Sequence, residues 1–282
     1  MKKFLAGICA AVLLMTGCGG DSGSETKKDA QPNEVKLGMI THLNATEKKM
    51  DEIYKKFLEK AKINLANYTI TYYDNLQLMQ MGVESGGVDE ISLYDSVANY
   101  LLANNDKYEV AAGESIKVFA DSFCLAVRKD DAALKADLDK VIGEMKSDGT
   151  LDKLVKEYIT DVKKGEAPPA IEIPMTDGAE TIKVGVTGDL PPLDYVSADG
   201  KAAGFNTAML AEVAKRSGKN IEVIDIDSGA RATALTSKQI DVIFWAIIPI
   251  GESLPADIDT PEGVELSAPY FKDEISHLEL KK

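Results

Sequence analysis

Apolar residues follow two spacings along this chain, and segments with one spacing alternate with segments with the other. Short apolar runs bounded by turn residues predict buried strands, and apolar residues that recur every three or four positions predict amphipathic helices. Strands that alternate with helices favour an α/β fold with a largely parallel sheet. Asn206 is predicted to cap its helix. Strands are predicted at 35–40, 68–73, 89–93, 118–127, 181–186, 221–226 and 240–248, and helices at 44–58, 76–83, 95–103, 134–145, 151–159, 206–217 and 230–235.

The first residues have the pattern of an export signal. Two lysines precede an apolar run from Phe4 to Met15, which is shorter than the ~20 residues that a membrane-spanning helix needs. Residues 14–18 (LMTGC) then resemble a bacterial lipobox, in which small residues precede a cysteine that becomes lipidated. We therefore predict a signal peptide over residues 1–17, lipidation of Cys18, a flexible tether over residues 18–34, and an extracytoplasmic location on the bacterial membrane. An ordinary cleaved signal peptide is the alternative.

The composition narrows the classes of function. With 45% hydrophobic residues among 282, the chain can bury a sizeable core. Its formal charge is −14, from 32 basic and 46 acidic residues, and a phosphate backbone attracts the opposite sign, so no nucleic acid partner is predicted. The sequence has only two histidines and no zinc-binding or nucleotide-binding motif, so neither a metal nor a cofactor is predicted. Cys124, the one cysteine outside the leader, is predicted to be a small buried apolar residue.

Several segments resemble one family of bacterial proteins. Residues 181–206 (TIKVGVTGDLPPLDYVSADGKAAGFN), 240–243 (IDVI) and 267–271 (SAPYF) are similar to the first lobe of the family 3 extracellular solute-binding proteins. Residues 71–102 resemble the second lobe of that family, and residues 145–159 (MKSDGTLDKLVKEYI) resemble its C-terminal helices. The resemblance implies a two-lobed α/β fold of the type II periplasmic-binding-protein class, with a cleft between the lobes that holds a solute.

The matching segments stand in an unusual order. In the family the first lobe precedes the second, whereas here the segments that resemble the second lobe come first. Each lobe pattern occurs once, so we predict one circularly permuted receptor, a rearrangement that is tolerated when the old termini lie close together. The predicted layout is a second-lobe unit at 35–125, terminal helices that pack on the other lobe at 126–162, a linker at 163–180, a first-lobe unit at 181–270, and a crossing strand with a tail at 271–282.

The resemblance also implies residues that face the cleft. Asp95 follows a predicted strand and matches the family acid that pairs with a ligand ammonium, although an acid there is also an ordinary helix N-cap. Tyr94 lines the cleft or packs in the core. Thr41, His42 and Asn44 lie at a predicted helix N-terminus, where free N–H groups suit a carboxylate. Ordinary capping by Thr41 or Asn44, and a solvated His42, are the alternatives.

Further candidates stand in the segments that resemble the first lobe. Asp189, Leu190 and Asp194 surround two prolines after a predicted strand. Leu190 takes the place where the family often has an aromatic ring that stacks on its ligand. Trp245 and the adjoining Ala246 end an apolar strand and are predicted to face the cleft, where the Trp N–H would find a partner. A purely structural Trp245 is the alternative.

The sharpest departure from the family concerns its carboxylate-binding arginine. The family has a Thr and then an Arg after this strand, but Ile248 and Ser253 stand here, and residues 244–265 contain neither Arg nor Lys. Arg231, which follows Ser228 at a strand-to-helix turn, is predicted to supply the anion contact instead. An exposed arginine at a helix start is the alternative.

These observations predict a lipid-anchored receptor. It binds a small polar solute, an amino acid or a related compound, and delivers it to an ABC permease in the membrane; the receptor is predicted to be a monomer. A sensor or surface-interaction lipoprotein is one alternative. A dehydratase-like enzyme on the same fold is another, but no dedicated catalytic motif occurs in the sequence, so no enzymatic activity is predicted.

Overall fold

Strands and helices alternate through most of the chain. The computed structural model describes residues 35–40, 68–112, 120–247 apart from positions 163, 166 and 198, and 262–282. The helices are α1 (Leu76–Glu84), α2 (Asp95–Asn104), α3 (Ala132–Ser147), α4 (Thr150–Val155), α5 (Phe205–Ser217) and α6 (Arg231–Thr236). The strands are β1 (Val35–Ile40), β2 (Tyr68–Tyr73), β3 (Glu90–Tyr94), β4 (Tyr108–Val110), β5 (Ala120–Arg128), β6 (Thr181–Val186), β7 (Asp189–Leu190), β8 (Asp194–Val196), β9 (Ala202–Ala203), β10 (Asn220–Asp225), β11 (Val242–Ile247), β12 (Val264–Leu266) and β13 (Phe271–Leu280).

One sheet of ten strands has two halves that meet at β13. Its main path runs β10-β6-β11-β5-β13-β3-β1-β2, with β12 beside β5 and β4 beside β13. Residues 271–274 of β13 pair with β5, and residues 275–279 pair with β3. We call β1 to β4 the N-terminal half-sheet, and β5, β6, β10, β11 and β12 the C-terminal half-sheet. Because β13 pairs with both, the end of the chain joins the two.

Parallel pairing is limited to one group of strands in each half-sheet. β1 runs parallel to β2 and β3, and β6 runs parallel to β10 and β11, as strands joined by crossover connections do. In contrast, β4, β5, β12 and β13 pair in antiparallel fashion. The α/β class and its two connected halves are confirmed. The expectation of a largely parallel sheet is correct only for the two crossover groups. β5 runs antiparallel to β11, and β13 runs antiparallel to both β5 and β3.

Three helices form a packed layer beside the C-terminal half-sheet. The inward faces of α3 and α4 are fully buried at Ile142, Met145 and Leu151, and both helices contact α5. Arg216 near the end of α5 fixes this arrangement, since its Nη1 donates to Asp148 Oδ2 at 2.7 Å and its Nη2 donates to Thr150 Oγ1 at 2.9 Å. The Arg216 guanidinium and the Thr150 hydroxyl lower the pKa of the Asp148 carboxyl to about 2.

The start of α5 differs from the sequence prediction. Gly204, not Asn206, is the N-cap residue, and it has a φ of 92°, where a Cβ would lie 2.6 Å from the Pro192 oxygen. Only glycine fits this close approach without strain. Asn206 is the second residue of the helix, and its Oδ1 accepts a hydrogen bond from the Tyr270 hydroxyl at 3.0 Å. The capping assignment was wrong because an apolar residue, Phe205, begins the helix and fills the core.

The predicted linker crosses the surface without regular structure. Between 164 and 180 the described residues contain one isolated bridge, from Ala170 to Ala203. Asn220 holds this segment by accepting from Thr176 N at 2.7 Å and donating to Thr176 O at 3.0 Å. The predicted layout boundary at residue 125 falls inside β5. Within the part of the chain that the structure describes, no helix has the length and apolar character to cross a membrane.

Candidate functional site

The predicted site residues fall into three groups in the structure. Thr41, His42, Asn44 and the lipidation residue Cys18 lie outside the described residues, as do Ile248 and Ser253. Trp245 and Ala246 lie on β11, where the backbone alone is described. The remaining candidates lie near the place where the two half-sheets meet: Tyr94, Asp95, Asp189, Leu190, Asp194, Ser228 and Arg231.

Asp194 is a buried carboxylate that shapes the turn after β6. It is 5% exposed, and its Oδ2 accepts from Thr187 N at 3.0 Å and from Thr187 Oγ1 at 3.3 Å. Burial raises its pKa to about 6, because a charged carboxylate loses hydration inside the protein. Asp194 therefore stabilises the backbone conformation of the turn at residues 187–189.

Asp189 reaches from that turn to the other half of the molecule. Its Oδ2 accepts a hydrogen bond of 2.8 Å from the backbone N–H of Leu76, the first residue of α1. An anion at a helix N-terminus is stabilised by free N–H groups and by the helix dipole. Burial still raises the pKa of Asp189. This bond connects an element of the C-terminal half with a helix of the N-terminal half.

Leu190, which follows Asp189 in β7, has an apolar side chain and packs against the core. It pairs with Asp194 across β7 and β8, is half-buried, and packs against the main apolar core. An aliphatic side chain at this position offers packing surface but no ring face for stacking.

Arg231 begins α6 and points back toward the ends of β10 and β11. Its Nε donates to Ser228 O, its Nη2 to Ser228 Oγ, and its Nη1 to Phe244 O, each at 3.3 Å. Burial lowers its pKa to about 10, and the neighbouring Tyr94, Asp194 and Asp189 oppose that change. The guanidinium thus stays charged at neutral pH, half-buried beside two carboxylates. The alternative of a freely exposed arginine does not describe this position.

Tyr94 and Asp95 mark the end of β3 and the start of α2 in the N-terminal half. The Tyr94 ring packs edge to face on that of Phe123, with the ring centroids 4.8 Å apart, and Tyr94 is half-buried. Asp95 is the first residue of α2, which has no side-chain cap bond at its start. Its Oδ1 accepts from Ser276 Oγ at 2.6 Å and its Oδ2 from Asn99 Nδ2 at 2.7 Å. Asp95 is thus not an N-cap, and both of its oxygens face neutral donors.

Sequence reasoning missed the polar residues that β13 contributes. Asp273 is buried, and its Oδ2 accepts from Ser96 N at 3.2 Å and from Ser96 Oγ at 2.5 Å. Burial raises its pKa to about 6. Its partner across the strands is Asp121 on β5, a second buried acid. The acids of FKDEISHLEL, at 273, 274 and 279, were a signal, but their positions alone do not tell which face of the strand is covered.

The charges of these residues are unequal. Within the described ranges here, the carboxylates of Asp95, Asp189, Asp194 and Asp273, with Asp121 beside Asp273, outnumber the guanidinium of Arg231. Among the residues that the structure describes, no three acidic, histidine or cysteine side chains come together as a metal-binding group would. The carboxylates can accept hydrogen bonds from a cationic group of a ligand, and the Arg231 guanidinium can donate to an anionic group.

Comparisons of the sequence with known proteins match part of the chain. The model of the bacterial extracellular solute-binding proteins, family 3, matches residues 182–252. Over 95 residues the chain is 36% identical to the lysine/arginine/ornithine-binding periplasmic protein of Escherichia coli (strain K12). This alignment covers 32% of this chain and 36% of that protein. Over 75 residues the chain is 33% identical to the arginine-binding extracellular protein ArtP of Bacillus subtilis (strain 168), in an alignment that covers 27% and 29%. The chain thus spans about a third of the length of these relatives.

Solved structures of low sequence identity also align with the chain. The ligand-binding component of an ABC-type import system from Staphylococcus aureus, solved with zinc bound, aligns with a TM-score of 0.44 at 10% identity, covering 88% of this chain and 66% of that chain.

Proposed function

The resemblance to the family 3 extracellular solute-binding proteins is confirmed over residues 182–252, and from it we propose that this chain is a solute receptor for a basic amino acid. The ligand is held where the N-terminal and C-terminal half-sheets meet at β13. The observation that carries the proposal is the placement of Asp95, whose two oxygens accept hydrogen bonds from the neutral Ser276 and Asn99 and, among the residues that the structure describes, pair with no basic side chain. Its negative charge is therefore left for a ligand.

Two groups of opposite charge suit the two ends of an amino acid. Asp95, in the N-terminal half, receives the α-ammonium, and Arg231, in the C-terminal half, receives the α-carboxylate that the family holds elsewhere. Tyr94, next to Asp95 in sequence, is close enough to Arg231 for the two to affect each other's ionisation. A ligand that contacts both halves favours the closed arrangement by its differential contacts.

The excess of carboxylates supports a ligand with an additional positive charge. Asp189, Asp194 and Asp273 are buried or half-buried, and one guanidinium does not balance them together with Asp95. A cationic side chain would reduce this imbalance. The lysine/arginine/ornithine-binding and arginine-binding names of the two relatives agree with this ligand class.

We propose that the receptor works outside the cytoplasmic membrane with an ABC permease. The leader and the LMTGC segment support export and lipid attachment through Cys18. A single polypeptide supplies both Asp95 and Arg231, so a monomer suffices for binding. The proposed function assigns no catalytic step to these residues.

A thermal shift series tests the ligand class. We expect L-arginine, L-lysine or L-ornithine, at about 100 times its dissociation constant, to raise the melting temperature by about 5–10 °C, because it binds only the folded state. L-Glutamate is the matched control and is expected to give no shift, since its side chain adds a negative charge. A shift with L-glutamate and none with the basic amino acids would contradict the proposal. No shift with any small solute would favour a surface-interaction lipoprotein.

We further propose that the domain order is circularly permuted. The last strand, β13, pairs with β3 near the beginning of the chain, and Lys281 N donates to Lys107 O at 2.9 Å. The end of the chain thus lies in the half-sheet with which the described chain begins. In the family order the crossing strand would lead directly into β1, and residues 163–180 would hold the two termini.

A rearranged gene tests the permutation. A chain that starts at residue 168, runs to Lys282, continues through residues 19–34 as a linker and then through 35–162, restores the family order. We expect it to melt within about 5 °C of the natural order, because it keeps every described strand and helix, changes a loop closure, and loses only surface contacts such as the hydrogen bond from Gly165 N to Asn104 Oδ1. The matched control opens the chain inside β5, between Cys124 and Leu125, and should not fold. Failure of the restored chain with the control equally unfolded would argue against the permutation.

A further inference from the structure

The strand that joins the two half-sheets also holds the start of α2. We infer that Ser276 on β13 is a positioning residue that orients the Asp95 carboxylate toward the ligand, with Asp273 fixing the adjoining backbone. The inference rests on the proposed function in one respect, which is that Asp95 meets the ligand cation.

The register of β13 places this contact. Ile275 pairs with Tyr94 and Ser276 pairs with Leu93, so α2 begins directly beside β13. Ser276 Oγ donates to Asp95 Oδ1 at 2.6 Å, and Asp273 Oδ2 accepts from the backbone N–H of Ser96 at 3.2 Å. Both side chains thus contact the first turn of α2, from the two sides of the point where β13 changes its pairing partner.

The chemistry of the contact suits positioning better than neutralisation. A hydroxyl donor fixes the direction of a carboxylate oxygen and leaves the negative charge in place. Asn99, one turn along α2, does the same for Oδ2 at 2.7 Å. Over the described ranges no lysine, arginine or histidine nitrogen pairs with Asp95 within 4.0 Å. A cation there would instead have competed with the ligand ammonium.

The location on β13 connects Asp95 to the relative position of the halves. Residues 271–274 pair with β5 of the C-terminal half-sheet, and residues 275–279 pair with β3 of the N-terminal half-sheet. Asp273 and Ser276 lie on opposite sides of that change of partner. A change in the angle between the halves would thus move the two contacts relative to each other, and Asp95 with them.

A double-mutant cycle separates positioning from mere support of the helix. L-Arginine is titrated calorimetrically into the full-length mature protein, Ser276→Ala, Asp95→Asn, and the double variant. We expect Ser276→Ala to weaken binding about 5–10-fold, the effect of one hydrogen bond to a charged group, and to change nothing further in the Asp95→Asn background. Ser276→Thr, which keeps the hydroxyl, should restore affinity to within about twofold of the unaltered protein. An equal loss in both backgrounds, or no loss in either, would overturn the inference.

A ligand-free readout distinguishes this inference from the proposed function. If the unaltered protein does not bind L-arginine, L-lysine or L-ornithine, the proposed function fails, and the inference is then decided by ligand-free crystal structures. We expect the Asp95 carboxylate to turn away from its position in Ser276→Ala and to keep it in Ser92→Ala, a half-buried serine on the neighbouring β3. An Asp95 carboxylate unmoved in Ser276→Ala would overturn the inference. Melting temperatures of both variants confirm that each is folded.

Discussion

Truncation of Phe205 to alanine is expected to lower the free energy of unfolding by about 3–5 kcal/mol. Phe205 is the first residue of α5 and is completely buried. Its ring lies 5.0 Å from that of Phe271 and 6.1 Å from that of Tyr270, so the helix start packs directly on the beginning of β13. The large loss follows from removed apolar contacts together with a cavity that rigid neighbours cannot fill.

The surroundings of Phe205 explain why the cavity should persist. The Phe205 backbone N–H donates to Pro192 O at 2.9 Å, and Gly204 before it has no room for a side chain, so this end of α5 cannot move inward. Urea unfolding followed by circular dichroism measures the change. Met175→Ala serves as control, because Met175 is 75% exposed, and is expected to change stability by less than about 0.5 kcal/mol. A loss below about 1.5 kcal/mol for Phe205→Ala would mean that the site collapses.

Replacement of Arg231 by alanine is expected to weaken the binding of L-arginine by about 100-fold. Hydrogen bonds to charged groups contribute about 1.5–3 kcal/mol each, and in the part of the chain that the structure describes Arg231 places its guanidinium beside Asp189 and Asp194. Its removal leaves the ligand carboxylate facing carboxylates alone. Arg231→Lys is expected to recover only part of the affinity, because an ammonium lacks the planar fork that holds a carboxylate with two hydrogen bonds.

Calorimetric titration at pH 7.5 measures this effect, and a second arginine provides the control. Arg216 also makes three side-chain hydrogen bonds, to Asp148, Thr150 and Glu212, but it joins the end of α3 to α4 and α5 and lies outside the proposed site. Arg216→Ala is expected to lower stability and to leave affinity unchanged. Unchanged affinity in a folded Arg231→Ala protein would show that the anion contact lies elsewhere, and the residues after β11 would then be the next to test.

Several parts of the fold could be predicted because local pattern decides them. The apolar spacing of helices α3 and α5 and the β-forming residues of strands β1, β2 and β6 predict these elements, and their predicted and observed bounds agree within a few residues. The short strands β4, β7, β8, β9 and β12 were missed, since two or three residues carry no recognisable period. The assigned cap of α5 was wrong for a related reason, since a glycine with positive φ has no side chain to signal its role.

The candidate site was only partly accessible to sequence reasoning. Asp95, Asp189, Asp194 and Arg231 were named because each follows a predicted strand in a part of the chain that resembles a lobe of the family. Their partners were not, because Ser276 lies 181 residues from Asp95, and Leu76 lies 113 residues from Asp189. Hydrogen bonds over such separations depend on which strands become neighbours, and no local pattern records that.

The sequence by itself determined the α/β class, the resemblance of residues 182–252 to the family 3 extracellular solute-binding proteins and the negative charge, since each depends on residue type and spacing along the chain. The tertiary structure alone decided that β13 joins both half-sheets, that Asp189 caps a helix of the opposite half, and that Asp95 accepts hydrogen bonds from Ser276 and Asn99. These features arise where segments that are distant in the sequence come into contact. They are selected by hydrogen bonding and by the desolvation of charged groups, which act between such segments only in the folded protein.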